Sequence, residues 1–337
     1  MKRYTLLTAD MDGTVLNTRK EITPRTAGAI HQALADGWEV LFATGRCLAE
    51  VRPYLTDFPD MHYLLCHSGA TVTDLRTGQD LCSLPIDPAT VEKVLAVTAD
   101  ADAAAVFFLG NELYIEERFR GRMPYFGCQC FEALYEKCAH WVPDRDALLA
   151  EHIHDVRKLN FFFHDHAEWL RCGEIFRTMP LEYASGIPNN FEITAPGVSK
   201  GEGLRLLCRT LGLDIRQTIA CGDEGNDVSI LRAAGLGVAM GNATAEALAA
   251  ADVQVADCDH DGVAQAIETY LGRSIPTESE ECAQDQNTAP TGEAADAENL
   301  LSGATPTSGR KEARPCRPLP RRGSCFAMPI TGSMIGC

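Results

Sequence analysis

Residues 6–14 read Leu6-Leu7-Thr8-Ala9-Asp10-Met11-Asp12-Gly13-Thr14, a short apolar run that ends in two aspartates one residue apart. An apolar run of this length bounded by a turn signal reads as a buried strand. Residues at i and i+2 on a strand face the same way, so Asp10 and Asp12 share one side of its carboxyl end. In a parallel sheet that end lines the binding crevice. Asp12-Gly13 is also a strong turn signal, and a turn alone would account for the pair. The two readings are compatible, because a turn at this point exposes both carboxylates at the sheet edge.

Working outward, residues 1–83 alternate strand and helix. Thr23-Pro24 supplies a cap and a helix-start proline for a helix that Gly37 ends. EVLFATG and YLLCHSG follow as short apolar strands, so the order is that of a parallel α/β sheet. The texture changes over residues 84–195. VFFLGNELYIEE predicts a hairpin around Gly110-Asn111, KLNFFFHD and NNFEIT predict further strands, and AEWLRCGEIF predicts a helix between them. This reads as a separate α+β module. The α/β pattern then resumes over 196–272, with a helix opened by Ser199 and Glu202 as a capping box. TIACGD, GLGVAM and ADVQVAD are short strands, and a last helix runs near Val263–Leu271. A second module inserted into a first explains this order. Residues 273–337 are rich in Ser, Thr, Pro and charge, and predict a disordered tail.

The chain has 337 residues, is 45% hydrophobic and 23% charged, and carries a formal net charge of -17. That length suits about two domains. No apolar run approaches the ~20 residues of a membrane span, and MKRYTLLTADMDG lacks the apolar region of a secretion signal, so a cytoplasmic location is expected. The 14 cysteines are scattered and are expected to stay reduced. His152/His154 and His164/His166 could pair on strand faces, although close histidines are usually only partly exposed side chains. The acidic balance argues against a nucleic-acid partner, whose footprint is a basic patch. It leaves room for a small anionic substrate if the site supplies its own cations.

Three further stations accompany Asp10 and Asp12. Thr44-Gly45 directly follows the strand EVLFA, where a hydroxyl and a glycine N–H suit close approach to an oxyanion. A strand ending in a glycine turn gives the same residues. Lys200 falls in the first turn of its helix, an end that already favours anions, so a cation there needs an anion beside it. Asp223, Glu224, Asn226 and Asp227 crowd one turn after another apolar strand. Hard oxygen ligands of this kind suit Mg²⁺ held by one or two carboxylates and a substrate phosphate. An acidic surface loop would look alike in isolation, but not after four strand ends in one chain.

In this order, ADMDGT, ATGR, SGA, GVSKG, GDEGND, VAMGNA and DGVAQAI resemble the motifs of the haloacid dehalogenase-like hydrolase superfamily, and within it the Cof-type phosphatases with a subclass IIB cap. The resemblance spans about residues 4–271. It implies a Rossmann-like parallel-sheet core (1–83 and 196–272) with an inserted α+β cap (84–195). It implies a Mg²⁺-dependent phosphatase of small phosphorylated metabolites, sugar phosphates or related compounds; from the charge balance and the lack of a long apolar run, no nucleic-acid or membrane partner is expected. Asp10 would be the nucleophile and Asp12 the acid and base; Asp10, the Asp12 carbonyl and Asp223 would bind Mg²⁺. Thr44, Gly45, Lys200 and Asn226 would hold the phosphoryl group, and Asp227 would support Lys200 or the metal's outer shell. The alternatives are a phosphohexomutase-like phosphotransferase, which shares the two aspartates and this cap type, and a non-catalytic phosphate-ligand binder on the same fold, against which the intact Asp10, Asp12, Lys200 and Asp223 argue. Ser68-Gly69-Ala70 departs from the family's usual Asn-Gly-Ala, and VSIL lacks its usual methionine.

Overall fold

The computed structural model describes residues 3–275; the rest of the predicted tail lies outside the described residues. The first sheet contains β1 (Leu6–Ala9), β2 (Glu39–Ala43), β3 (Tyr63–Cys66), β4 (Thr71–Asp74) and β5 (Gln79–Ser83). The second contains β6 (Ala103–Leu109), β7 (Glu112–Glu116), β8 (Ala139–Val142), β9 (Val156–Phe163), β10 (Glu182–Ala184) and β11 (Asn190–Thr194). The chain then returns to the first sheet through β12 (Thr218–Gly222), β13 (Leu236–Ala239) and β14 (Val253–Gln254). The helices, in chain order, are α1 (Pro24–Ala35), α2 (Leu48–Leu55), α3 (Pro88–Thr98), α4 (Gln129–Cys138), α5 (Arg145–His152), α6 (His166–Phe176), α7 (Lys200–Leu211), α8 (Val228–Ala233), α9 (Ala245–Ala250) and α10 (Gly262–Tyr270).

Strand order in the first sheet is β14-β13-β12-β1-β2-β3-β4-β5. From β14 to β3 all pairings are parallel, while β4 and β5 add an antiparallel edge. The parallel strands are buried on both faces, which is why they read as unbroken apolar runs. Alternation sorts their side chains into two layers. Leu7, Val40, Phe42 and Ile219 pack with Ile30 of α1 and Val263 of α10. Leu6, Leu41, Leu65 and Ala220 pack with Leu204 of α7, Ile230 of α8 and Ala247 of α9.

The second sheet has the order β10-β11-β9-β6-β7-β8, antiparallel except for β7 with β8. Its hairpin turns at Gly110-Asn111, as predicted, with Gly110 at φ +55°. One face packs on α3, α5 and α6 through Phe107, Leu159 and Phe161. On the other face Val106, Phe108 and Phe162 pack with Phe126 and Tyr135, and with Cys47 and Ala49 at the start of α2. Polar links continue this seam to the first sheet. The Ala49 N–H donates to the Asn111 carbonyl at 3.1 Å, Arg52 pairs with Glu112 at 2.7 Å, and Arg157 pairs with Asp80 at 3.3 Å.

The last described residues pair with the first sheet. The Tyr4 N–H donates to the Arg273 carbonyl at 3.1 Å, Ser274 bridges to Arg3, and Ile275 packs against the core. Among the described residues no helix is long and apolar enough to cross a membrane.

Candidate active site

The chain runs from β1 outward to β3 on one side and later from β12 outward to β14 on the other. The order therefore reverses between β1 and β12, the place where open α/β sheets bind ligands. Asp10 leaves the end of β1 there and Asp223 the end of β12.

The structure brings Asp10, Lys200, Asp223 and Asp227 together. The Lys200 side chain is 0% exposed, and its Nζ donates at 2.6 Å to both Asp10 Oδ1 and Asp227 Oδ1. Asp227 is fully committed, because its Oδ2 also accepts from the Asp223 N–H (3.0 Å) and the Glu224 N–H (3.1 Å). Asp223 is fixed by two donors, the Thr14 hydroxyl to Oδ1 at 2.8 Å and Asn242 Nδ2 to Oδ2 at 3.0 Å. Asn242 also donates to the Gly13 carbonyl, so it ties the Asp223 turn to the turn after Asp12. Gly13 is required here: it sits at φ +80°, and a Cβ on it would run into Asp223 Oδ2. Asp10 Oδ2 has no donor among the described residues.

Lys200 is presented by α7. Ser199 caps that helix by accepting from the Glu202 N–H. Glu202 pairs with Arg205 at 3.2 Å, so only this half of the predicted capping box is formed. The start of α7 packs closely against the turn after β3. Gly69, at φ +106°, has no room for a Cβ, which would enter the Ser199 carbonyl.

Thr44 is buried at the end of β2, where its hydroxyl accepts from the Arg46 N–H at 3.2 Å. Gly45 is half-buried beside it, and Asn226 is exposed on the turn Gly225–Asp227. Asp12 stands apart from the buried group, with its side chain 40% exposed. Arg46 grips it with two hydrogen bonds, 2.8 Å to Oδ2 and 2.7 Å to Oδ1, and Lys20 adds one at 3.0 Å. Burial alone would raise the Asp12 carboxyl; Arg46, then Lys20, bring it down to about 2.

Arg46, Thr14 and Asn242 lie inside the quoted stretches ATGR, DMDGT and MGNA, yet the sequence reading assigns them no role. Their partners are 34, 209 and 19 residues away, which no local spacing announces. The histidine pairs do not converge. His164 stacks on Tyr125 at 3.9 Å, His166 bonds Asn189 at 2.7 Å, and His152 lies beside Glu151.

Among the described residues, one acidic or sulfur/nitrogen group could hold a metal ion: Asp10, Asp223 and Asp227, with ligand atoms within 4.8 Å of one another. Three carboxylates facing one ammonium leave two negative charges in excess when all are ionised. Burial raises Asp10 well above its ordinary range, opposed by Lys200, and Asp227 and Asp223 push it the same way as burial. Burial likewise lifts Asp223 to about 7, against the Thr14 hydrogen bond. A dication would restore the balance, and with Asp227 committed to Lys200, Asp10 and Asp223 are the carboxylates open to it. The donor set is all oxygen and hard, so the residues fit Mg²⁺.

Comparison with known proteins shows the family. The profile of the haloacid dehalogenase-like hydrolases matches residues 7–267. Phosphatase YwpJ of Bacillus subtilis (strain 168) is 28% identical over 287 residues, covering 79% of this chain and 99% of its own length. Pyridoxal phosphate phosphatase YbhA of Escherichia coli (strain K12) is 25% identical over 283 residues, covering 79% and 98%. The solved structure of a haloacid dehalogenase-like hydrolase from B. subtilis matches with a TM-score of 0.69 at 26% identity, covering 79% of this chain and all of that one. With its family profile, its fold and its motifs in one frame, the chain belongs to the haloacid dehalogenase-like hydrolases, in their Cof-type branch.

Proposed function

We propose that this protein is a Mg²⁺-dependent phosphatase that acts in the cytoplasm on small phosphorylated metabolites, sugar phosphates first among them. The observation that carries this reading is the buried Lys200 bridging Asp10 and Asp227 beside Asp223, with Asp10 Oδ2 left open. The phosphatase names of YwpJ and YbhA support the same reaction class.

Asp10 Oδ2 attacks phosphorus, the bond from phosphorus to the alcohol oxygen breaks, and an aspartyl-phosphate forms. Asp12 delivers a proton to the leaving oxygen. It then takes a proton from the water that attacks the aspartyl-phosphate, which releases phosphate and restores Asp10. Arg46 and Lys20 favour the ionised Asp12 carboxylate, so its acid step is helped by whatever loosens their hold. Thr44, Gly45 and Asn226 hold phosphoryl oxygens, and Lys200 orients Asp10 and offsets its charge. Asp227 acts through Lys200 and through the Asp223 and Glu224 N–H groups it holds. A Mg²⁺ held by Asp10, Asp223 and the Asp12 carbonyl would neutralise excess carboxylate charge and charge on the phosphoryl oxygens.

The test is phosphate release from a panel of phosphorylated metabolites with Mg²⁺ or EDTA, for the wild type and Asp10→Asn. Release that requires the metal and vanishes in Asp10→Asn is expected. Retained turnover in Asp10→Asn would overturn the mechanism. Transfer of the phosphoryl group to a second sugar hydroxyl, without free phosphate, would indicate a mutase.

A further inference from the structure

Lys158 lies on β9 of the inserted sheet, yet its Nζ donates at 2.6 Å to the carbonyl of Gly45 in the first sheet's Thr44-Gly45 station. It also donates at 3.1 Å to Glu192 Oε2, on β11, and rests 4.3 Å above the ring of Phe108. The Lys158 side chain is only 4% exposed. Two acceptors and an aromatic ring thus surround its ammonium, which leaves it little to offer a ligand.

Glu192 differs. Its side chain is 23% exposed, one oxygen is held by Lys158, and Oε1 has no donor among the described residues. Besides Lys158, two glycines lie near it. A Cβ on Gly45 would lie 3.6 Å from Oε2, and a Cβ on Gly186 would lie 3.7 Å from Oε1. The carboxylate thus stands between Gly45 of the first sheet's station and Gly186 of the inserted module. Gly45 itself connects Thr44, at the phosphoryl station, to Arg46, which grips Asp12. Glu192 is therefore a neighbour of the segment that carries Thr44 and Arg46.

We propose that Glu192 reads the alcohol half of the substrate by accepting a hydrogen bond from one of its hydroxyls. Lys158 is the positioning residue that holds the carboxylate. This rests on the phosphatase reading and deepens it. A fixed carboxylate accepts from a hydroxyl but repels a second anion. The site therefore takes neutral polyol phosphates and disfavours esters that carry a further carboxylate or phosphate. A pair serving only to bolt the two sheets together would show no such preference.

The test compares kcat/KM of the wild type, Glu192→Ala, Glu192→Gln, Lys158→Met and Lys158→Arg in Mg²⁺. The substrates are hexose 6-phosphates, 3-phosphoglycerate and para-nitrophenyl phosphate, which has neither hydroxyl nor second anion. Glu192→Ala should lower kcat/KM for the preferred hexose phosphate by about 10- to 100-fold, the loss of one hydrogen bond to a charged group. Its rate on para-nitrophenyl phosphate should stay within about twofold. Glu192→Gln keeps an acceptor and loses the charge, so it should retain hexose phosphate turnover and gain on 3-phosphoglycerate. Lys158→Met also frees the Gly45 carbonyl, so it should raise KM for all three substrates but most for the hexose phosphate, and Lys158→Arg should recover part of that loss. Equal losses on all three substrates, or none, would overturn the proposal.

A binding arm does not depend on turnover. In the Asp10→Asn background, Glu192→Ala should weaken hexose phosphate measured by calorimetry and leave inorganic phosphate unchanged. If wild type releases no phosphate from any substrate, the phosphatase reading fails, and this arm still decides the role of Glu192.

Discussion

Lys200→Met tests the charge balance at its most sensitive point. The substitution keeps the length of a side chain that is 0% exposed and removes the ammonium lying 2.6 Å from two carboxylates. Asp10 and Asp227 would then face each other and Asp223 with no buried cation. Removing one partner of a buried ion pair costs about 3–5 kcal/mol, because the other charge is stranded. For a folded unit of this size each kcal/mol moves Tm by about 2–4 °C, so the metal-free variant should melt roughly 6–20 °C below wild type. Two further signatures separate this cause from a packing defect. Mg²⁺ should raise the variant's Tm more than that of wild type, since the dication replaces the missing charge. The deficit should also shrink towards pH 5. Carboxyls raised in the folded state bind protons there that the unfolded chain has released, so stability rises as pH falls. The assay is thermal melting followed by circular dichroism, with EDTA or Mg²⁺, at two pH values. A variant that melts within about 2 °C of wild type in EDTA would refute the reasoning.

Gly69→Ala should destabilise by about 1–3 kcal/mol through its positive φ alone. It should also lower activity, because its Cβ would displace the Ser199 carbonyl and with it the start of α7. Matched urea melts and turnover assays would reveal a variant that loses one property without the other, which would sink the link. His67 is fully buried, and burial first, then Lys158 and Arg157, push its imidazole well below the usual range. Below about pH 6.5 the unfolded chain gains a proton that the folded chain refuses, so stability falls with pH by up to about 1.4 kcal/mol per unit. Urea midpoints of His67→Gln should show a shallower loss between about pH 7.5 and pH 5 than wild type; parallel curves would remove His67 from the account. A chain ending at Gly272 should melt lower than one ending at Ile275. It lacks the Arg273 carbonyl that accepts from Tyr4 and the Ser274 bridge to Arg3, a loss of about 1–2 kcal/mol; equal melting temperatures would contradict this.

The parallel strands were legible because burial on both faces demands unbroken apolar runs, and Asp10, Thr44 and Asp223 were legible because each punctuates the end of one. The antiparallel edge β4–β5 was not. Its strand QDLCS has one exposed face and no apolar run, so nothing marks it against a loop. At the site, residue types showed that charges had to meet, but not which partners each would take. Asp227 carries the same carboxylate as Asp223, yet two backbone N–H groups and Lys200 occupy it. The clamp of Arg46 on Asp12 and the pair Lys158–Glu192 join residues whose distance along the chain hides their contact. Lys158 was further disguised, since KLNFFF reads as a core strand and the lysine is indeed buried within one.

The turn after β3 has one more consequence. Gly69 packs on Ser199, and the Ala70 carbonyl accepts from the Leu84 N–H at 2.8 Å. The chain thus departs for the inserted sheet and comes home from it beside two consecutive residues. Everything between enters and exits through one doorway, as a cassette does. An exchange of residues 85–195 for another insert would leave Asp10, Asp12, Lys200 and Asp223 on their own strands and helix. A lineage, or an engineer, can therefore trade the inserted sheet through one pair of joints, with the contacts to Gly45 and the start of α2 to be remade.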